Sequence, residues 1–169
     1  KGQATADGAA ANASLAASFG VLQQGQGIGP YRLIERLGGG AMATVYRAVD
    51  VRNGRAVAVK VLRPDADAVM RERFRREAQM HTNLNHPNIV QILEVGQVAG
   101  SRLTYIAMEL VEGPNLSEVM ESVVRLSPAD AAAVLSPIAA ALDYSCRQGV
   151  IHRDVKPSNV LLRRVHDDT

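Results

Sequence analysis

Residues 55–62, with the sequence RAVAVKVL, constrain the fold more than any other part of the chain. Valine, alanine and leucine occupy both alternating faces of this segment, and a strand that is apolar on both faces lies in the interior of a sheet. Lys60, on the same face as Ala58 and Leu62, is the exception. A buried ammonium group is costly without an anion, so we expect Lys60 to have a partner. The alternatives are a purely structural salt bridge or a side chain that reaches solvent.

Patterning on either side of this strand predicts the other elements. Polar and apolar residues alternate over 31–37 and 44–49, which predicts a hairpin with a glycine-rich turn. Two further strands are expected over 89–98 and 102–108, and a helix over 66–84. We therefore expect an α+β fold, with an antiparallel sheet of five strands and one helix followed by a mainly helical portion.

The first predicted helix supplies a candidate partner for Lys60. Its inward face carries Phe74, Glu77, Ala78 and His81 at helical spacing, and Glu77 is the acidic residue among them. Two lone opposite charges on neighbouring elements indicate one ion pair between Lys60 and Glu77.

Two more helices are predicted in the C-terminal part of the chain. One begins near residue 114. The other has Ser127 as its N-cap and Pro128 at its first helical position, and Gly149 marks its end. Pro137 lies inside this helix and is expected to kink or split it.

Composition excludes several classes of protein. A net charge of +2 gives no reason to expect a nucleic-acid partner, and the single cysteine, Cys146, excludes a disulfide scaffold. No apolar run approaches the ~20 residues of a membrane span. Residues 1–29 are rich in alanine, glutamine and glycine, which predicts a disordered linker. Because the first residue is Lys1 rather than Met, we expect a piece of a longer chain.

The glycine turn at 38–40 admits three interpretations. A Walker A loop would end in Gly-Lys-Ser/Thr, which is absent, and a dinucleotide fingerprint would open a helix, whereas residues 44–49 are predicted to be a strand. The third is a hairpin whose backbone amides can approach a phosphate because glycine has no side chain. Taken alone, the motif is equally compatible with a turn that serves only the hairpin.

Residues 152–159, HRDVKPSN, lie between two apolar segments. Reacting groups are often held in loops of this kind, which are fixed at both ends by packed elements. Phosphoryl transfer requires such a set: a carboxylate to orient and deprotonate the attacking hydroxyl, a cation to offset charge, and an oxygen ligand for a metal.

From about Tyr31 to its end, the chain resembles the eukaryotic-type serine/threonine protein kinase family in its bacterial form. The motifs occur in the family's order: the glycine turn, VAVK ending at Lys60, a helical Glu77, HPNIV at 86–90, and HRDVKPSN at 152–159. A lysine at position 156 is the serine/threonine rather than the tyrosine form of this loop.

The resemblance implies a role for each matching residue. Asp154 would be the catalytic base, Lys156 would steady the γ-phosphate, and Asn159 would bind Mg²⁺. Lys60, paired to Glu77, would hold the α- and β-phosphates, and Arg153 resembles an arginine that grips a phosphorylated activation loop in many relatives. The implied ATP-binding residues are Leu37, Gly38, Gly39, Gly40, Ala41, Met42, Ala43, Thr44, Val45, Ala58, Lys60, Glu77, Met108, Glu109, Val111 and Leu161.

The resemblance also implies the domain organisation and partners. A partial kinase domain would span 30–169, with an N-lobe over 30–108, a hinge over 109–113 and the start of a C-lobe over 114–169. Its ligands would be ATP and Mg²⁺, and its substrates would be protein serine and threonine hydroxyls. A cytoplasmic location is expected, with no nucleic-acid partner and no membrane association visible in this piece.

Two departures from the family pattern matter. Ala43 replaces the third glycine of the loop, a small change unless that position requires positive φ. The D-F-G motif does not appear before Thr169, and Asp167 and Asp168 lack the following Phe-Gly. We therefore expect a protein kinase whose fragment here is inactive and binds Mg-ATP weakly.

Two other functions remain open at this point. A pseudokinase that binds nucleotide or scaffolds partners is one, although such proteins commonly lack one of the residues Lys60, Glu77, Asp154, Lys156 and Asn159. A kinase of small molecules is the other, although HRD followed by KP favours a protein substrate.

Overall fold

The computed structural model of the protein describes residues 22–40, 42–123 and 125–163, apart from the side chain of Glu77. The strands are β1 (Gly27–Ile28), β2 (Tyr31–Gly39), β3 (Ala43–Asp50), β4 (Ala56–Leu62), β5 (Ile92–Gln97) and β6 (Thr104–Glu109). The helices are α1 (Ala68–Thr82), α2 (Leu116–Ser122) and α3 (Pro128–Arg147), with a 3-10 helix at Pro157–Asn159. No helix in the described ranges is long and apolar enough to cross a membrane.

The described residues form two compact units. The first comprises residues up to Thr82 together with Ile92–Leu110, and the second comprises Asn83–Gln91 together with residues from Val111 onward. The boundary between the two units, after Leu110, falls inside the predicted hinge over 109–113. The prediction of one continuous N-lobe over 30–108 is wrong for 83–91.

Segment 83–91 belongs to the second unit because it is bound to α3. The backbone N–H of Asn85 donates to the Tyr144 hydroxyl over 3.2 Å, and the His86 ring lies 5.2 Å from the Tyr144 ring. A turn closed by the Ile89 N–H and the His86 carbonyl precedes β5. Because of that turn, β5 begins at Ile92 rather than at the predicted residue 89.

The sheet of the first unit has the order β1-β2-β3-β4-β6-β5, with every neighbouring pair antiparallel. Strand β4 is hydrogen-bonded on both sides, so the predicted interior position of residues 55–62 is confirmed. Six strands are present rather than the five expected. The additional strand, β1, pairs Gly27 with Arg32 and Ile28 with Tyr31.

Each face of β4 packs into a separate core, which explains why both faces are apolar. Val57, Val59 and Val61 belong to one core, which includes aromatic side chains of β2, β3 and β6. Leu62 belongs to the other core, which includes Phe74 of α1. The alternation of the strand sends successive side chains to opposite cores.

The predicted linker over 1–29 is wrong for its last residues. Leu22 and Ile28 are 8% and 1% exposed and join the first core, and the Gly25 N–H donates to the Leu33 carbonyl over 2.8 Å. Two isolated apolar residues among glutamines and glycines make no periodic pattern, so the sequence gives little sign of this strand. Residues 1–21 lie outside the described part of the chain.

Hydrogen bonds also join strands that are far apart in the sheet. Glu94 of β5 accepts hydrogen bonds from the Tyr31 hydroxyl of β2 and the Tyr105 hydroxyl of β6, over 2.9 and 2.6 Å. Arg52, in the turn after β3, lies 3.1 Å from the same carboxylate. We call Tyr31, Arg52, Glu94 and Tyr105 the Glu94 network. Because β2 and β5 are far apart in the strand order, these contacts require a curled sheet.

The helices of the second unit have well-defined ends. Ser127 caps α3 by accepting from the Asp130 N–H over 3.1 Å, and Pro128 is its first residue, as predicted. At the other end, Gly149 has a φ of 76° and Val150 donates to the Ser145 carbonyl, a Schellman arrangement. The helix runs unbroken through Pro137, so the predicted split does not occur.

Candidate functional site

The glycine turn lies between β2 and β3 in the first unit. Gly38 pairs with Val45 and Gly39 with Thr44, and the Gly40 N–H donates to the Ala43 carbonyl over 2.9 Å. A Cβ on Gly39 would come within 3.2 Å of backbone atoms of the opposite strand, whereas a Cβ on Gly38 or Gly40 would meet nothing within 4 Å. A side chain at position 39 would therefore crowd the opposite strand, whereas positions 38 and 40 have room for one.

Ala43 shows why the third glycine of this loop can be replaced. Its side chain is 6% exposed and joins the core of Leu62 and Phe74. Arg153 alone among the described non-glycine residues has a positive φ, so Ala43 adopts an ordinary backbone conformation. The expectation that alanine costs little here is confirmed. Ala41 lies outside the described residues.

One face of the sheet brings together several of the predicted ATP-binding residues. Val45 is directly opposite Lys60, and Ala58 is directly opposite Met108. Cross-strand partners share a face, and Ala58 and Lys60 are two residues apart, so all four lie on the same face. Leu37, at the end of this hairpin, is 49% exposed.

Lys60 is half-buried. Its Nζ lies over the ring of Phe74, 5.6 Å from the ring centroid. The sequence indicated that Phe74 faces inward, but not that its ring would meet the ammonium group. The predicted partner, the Glu77 carboxylate, lies outside the described part of the chain.

The HRDVKPSN loop belongs to the second unit and is fixed at both ends. The loop follows the end of α3, and Pro157–Asn159 forms a 3-10 helix. Beyond it, Leu161 makes a β-bridge with Asn115, and the Leu116 N–H donates to the Val160 carbonyl over 2.8 Å. Asn115 also caps α2 in a reciprocal capping box with Glu118, which orders this neighbouring segment.

Asp154, Lys156 and Asn159 lie together in this loop. The Lys156 ammonium is 2.9 Å from Oδ2 of Asp154, and the Asn159 amide donates to the same oxygen over 3.0 Å. The Asn159 amide also donates to the Asp154 backbone carbonyl over 2.8 Å. Both of these side-chain contacts are made to the same carboxylate oxygen, Oδ2.

The electrostatic surroundings keep Asp154 ionised. The hydrogen bond from Lys156 is the largest cause that lowers the pKa of Asp154, and the bond from Asn159 adds to it. Both donors stabilise the charged form. The group is therefore a carboxylate at neutral pH.

The residue before Asp154 holds an unusual backbone conformation. Arg153 has a φ of 60°, and the Asp154 N–H donates to Nδ1 of His152 over 3.3 Å. Non-glycine residues in the left-handed region store strain and occur often at functional sites. This conformation turns the chain between His152 and Asp154.

Other predicted site residues lie in both units. Glu109 pairs with Val57 at the end of β6, whereas Val111 and Leu161 belong to the second unit. Leu161 is 44% exposed. The described ranges hold no cluster of three His, Cys, Asp or Glu side chains that could bind a metal ion. Asp167 and Asp168 lie beyond these ranges.

Comparison with known proteins gives a consistent result. The family model described as "protein kinase domain" matches residues 31–168. A probable serine/threonine-protein kinase of Streptomyces coelicolor is 46% identical over 140 residues, which cover 80% of this chain and 21% of that protein. The serine/threonine-protein kinase PknD of Mycobacterium tuberculosis is 41% identical over 147 residues, which cover 86% of this chain and 22% of that protein. The chain spans about a fifth of the length of these curated relatives.

Solved structures agree with the sequence comparison. The chain is similar to the crystal structure of the Mycobacterium tuberculosis PknI kinase domain, with a TM-score of 0.73 and 33% identity. The similarity covers 85% of this chain and 58% of that one. This similarity confirms the fold class predicted from the sequence. The chain belongs to the protein kinase domain family, in its bacterial eukaryotic-type serine/threonine branch.

Proposed function

We propose that the protein transfers the γ-phosphate of ATP to serine and threonine hydroxyls of other proteins. The observation that carries this proposal is the Asp154 carboxylate, which Lys156 and Asn159 hold through Oδ2. Such a carboxylate is fixed in direction while it keeps an acceptor for a substrate hydroxyl.

The chemistry follows from these contacts. The substrate hydroxyl donates to Oδ1 of Asp154, its oxygen bonds to the γ-phosphorus, and the bond from that phosphorus to the bridging oxygen breaks to release ADP. The hydroxyl proton passes to Asp154. The Lys156 ammonium offsets the negative charge of the moving phosphoryl group. Because Asp154 has a lowered pKa, it orients the hydroxyl first and accepts the proton late in the transfer.

ATP binding is proposed for the residues of the first unit. A Cβ on Gly38 or Gly40 would meet nothing within 4 Å, so a phosphate group can approach the backbone of the turn at these positions. Lys60 would contact the α- and β-phosphates, paired with Glu77. The remaining proposed nucleotide contacts in this unit are Leu37, Val45, Ala58, Met108 and Glu109. Val111 and Leu161, which belong to the second unit, are proposed on the family resemblance alone.

Asn159 fits the role of a metal ligand. Its amide nitrogen uses both N–H groups on Asp154, so the donor end of the side chain is fixed and the carbonyl oxygen Oδ1 is the end that can meet a cation. Amide and carboxylate oxygens are suitable ligands for Mg²⁺. Bound with ATP, this ion would neutralise phosphate charge.

Substitution of Asp154 in the full-length protein tests the proposal. With radiolabelled ATP and a serine- or threonine-containing protein substrate, Asp154→Asn is expected to lower kcat by about 10²–10⁴-fold, the usual contribution of a general base. Asp143→Asn is the matched control, because Asp143 is a similarly exposed aspartate of the same unit in an ion pair with Arg147. It should keep full activity.

Three outcomes would contradict the proposal. Equal activity of Asp154→Asn and the wild type would remove the proposed base. Nucleotide binding without any transfer in the wild type would favour a non-catalytic binding module. Transfer only to small-molecule hydroxyls would exclude proteins as the substrate class.

A further inference from the structure

We infer that Phe74 is a positioning residue that orients Lys60 toward the nucleotide phosphates, an inference that rests on the proposed function. The Nζ atom of Lys60 lies over the Phe74 ring at 5.6 Å from the centroid. Attraction between an ammonium group and the negative face of an aromatic ring operates within about 6 Å. The two side chains are therefore in contact range.

The ring is more deeply buried than the lysine, which gives the contact a direction. Phe74 is 1% exposed and packs with Leu62, Ala78 and Ile106 in the second core of the first unit. Lys60 is half-buried, and its ammonium group lies at the end of a flexible four-carbon side chain. An immobile ring therefore restricts where the ammonium group rests, at little additional entropic cost to the ring.

An aliphatic side chain would fill the same core space without this effect. Leucine buries apolar area in a helix as phenylalanine does, but it has no quadrupole to attract a cation. The ring also leaves the lysine able to bind phosphate, because an ammonium group has three N–H donors and the ring engages only one side of it. The lysine is thus held in place before ATP arrives, which lowers the cost of ordering it on binding.

Fluorination of Phe74 tests this inference with minimal change in shape. Mono-, di- and trifluorophenylalanine at position 74 of the full-length protein weaken the negative face of the ring in steps. ATP affinity, measured by equilibrium binding, should fall in steps to a total of about two- to fivefold, the size of a partly exposed cation–π contact. Adenosine affinity should not change, because adenosine has no phosphate for Lys60 to contact.

A background that lacks Lys60 and two ordinary variants complete the experiment. In Lys60→Met protein the fluorination series should have no effect on ATP affinity. Phe74→Tyr should keep wild-type ATP affinity, and Phe74→Leu should lower it to the level of the trifluoro variant. A role in core packing alone would instead lower ATP and adenosine affinity together and would persist in Lys60→Met.

The outcomes separate this inference from the function on which it rests. If Lys60→Met abolishes phosphotransfer while fluorination leaves ATP affinity unchanged, only the role of Phe74 is overturned. If Lys60→Met has wild-type phosphotransfer and ATP affinity, the proposed phosphate contact fails, and the role of Phe74 fails with it.

Discussion

Two carboxylates in this protein have similar partners but differ in their exposure to solvent. Glu94, in the first unit, accepts from two tyrosine hydroxyls and lies beside Arg52; Asp154, in the second, accepts from an asparagine amide and lies beside Lys156. The Glu94 side chain is 31% exposed and the Asp154 side chain is 63% exposed. Each is a carboxylate held by one cation and neutral donors.

The two carboxylates differ in how their partners are distributed over the two oxygens. In the Glu94 network, Oε1 accepts from Tyr105, while Oε2 accepts from Tyr31 and meets Arg52. In the loop, both side-chain contacts fall on Oδ2 of Asp154. The Glu94 carboxylate ties strands together through both of its oxygens, whereas the Asp154 carboxylate, which is held through Oδ2, is proposed to take part in a reaction.

The pKa alone does not distinguish these roles. Burial raises the pKa of Glu94, but hydrogen bonds from Tyr105, Tyr31 and Arg52 outweigh it, so the net shift is downward. The pKa of Asp154 is lowered too, chiefly by Lys156. Perturbed pKa values occur in structural networks as well as in active sites, so the geometry of the oxygens is the more informative observation.

The largest expected effect that separates the two clusters is on activity. Asn159→Leu removes both amide bonds to Asp154. We expect kcat to fall by about 10²-fold or more, since loss of a group that orients the reacting residue costs about that much. The midpoint of thermal unfolding should stay unchanged, because these side chains are exposed. Phosphotransfer kinetics and calorimetry of the full-length protein measure the two quantities. A large loss of stability would instead show that this loop, like the Glu94 network, mainly stabilises the fold.

The reverse result is expected for Glu94→Gln. The amide keeps one acceptor oxygen but replaces the other with a donor, so one tyrosine hydroxyl loses its partner and the ion pair with Arg52 is lost. The free energy of unfolding should fall by about 1–3 kcal/mol, the cost of an unsatisfied group in a partly buried network. Denaturant unfolding measures this change.

Glu35→Gln is the matched control for Glu94→Gln. Glu35 is 56% exposed in a 3.8 Å ion pair with Arg47, so its loss should cost about 0.5 kcal/mol or less. Equal effects of the two substitutions would show that the Glu94 network contributes no more than a surface pair.

The Glu94 network also predicts how stability depends on pH. The lowered pKa of Glu94 means that its contribution is present above the unfolded value of 4.5 and is lost as the pH falls through the folded value. Burial, followed by the bond to Glu94, raises the pKa of Tyr31 to about 12, and that of Tyr105 is raised for the same reasons. The tyrosine contribution is therefore present below 10.0 and is lost as the pH rises toward 12.

Unfolding free energies measured from pH 3 to pH 11 check both limbs. Glu94→Gln should flatten the acid limb, and Tyr31→Phe should flatten part of the alkaline limb. If both variants kept the wild-type pH dependence of the unfolding free energy, other groups would control that dependence.

The sequence predicted the cluster of Asp154, Lys156 and Asn159 better than the Glu94 network. The HRDVKPSN loop is contiguous, so its charged residues are visible together, and the bonds among Asp154, Lys156 and Asn159 span at most five positions. Tyr31 and Glu94 are 63 residues apart. Only the curl of the sheet brings them together, and no local pattern carries that information.

The same reasoning explains the errors in the fold. Strand β4 was predicted well because its run of apolar residues is local and long, whereas β1 has two residues and takes its position from pairing with β2. The discontinuity at 83–91 depends on contacts between His86 and Tyr144, which are also distant in sequence. The Phe74 ring over Lys60 required the packing of α1, not just its inward face.

The smallest expected effect is a pKa change without a stability change. Lys156→Met removes the group that contributes most to the lowered pKa of Asp154, so that pKa should rise toward its ordinary value, although Asn159 still holds it partly down. A carboxyl ¹³C titration of Asp154 by NMR measures the shift, and a thermal scan at pH 7 should match that of the wild type. Arg147→Met, which breaks an ion pair with Asp143 elsewhere in the same unit, should leave the Asp154 titration unchanged. If the pKa of Asp154 stayed low in Lys156→Met, the asparagine rather than the lysine would be the group that keeps this carboxylate ionised.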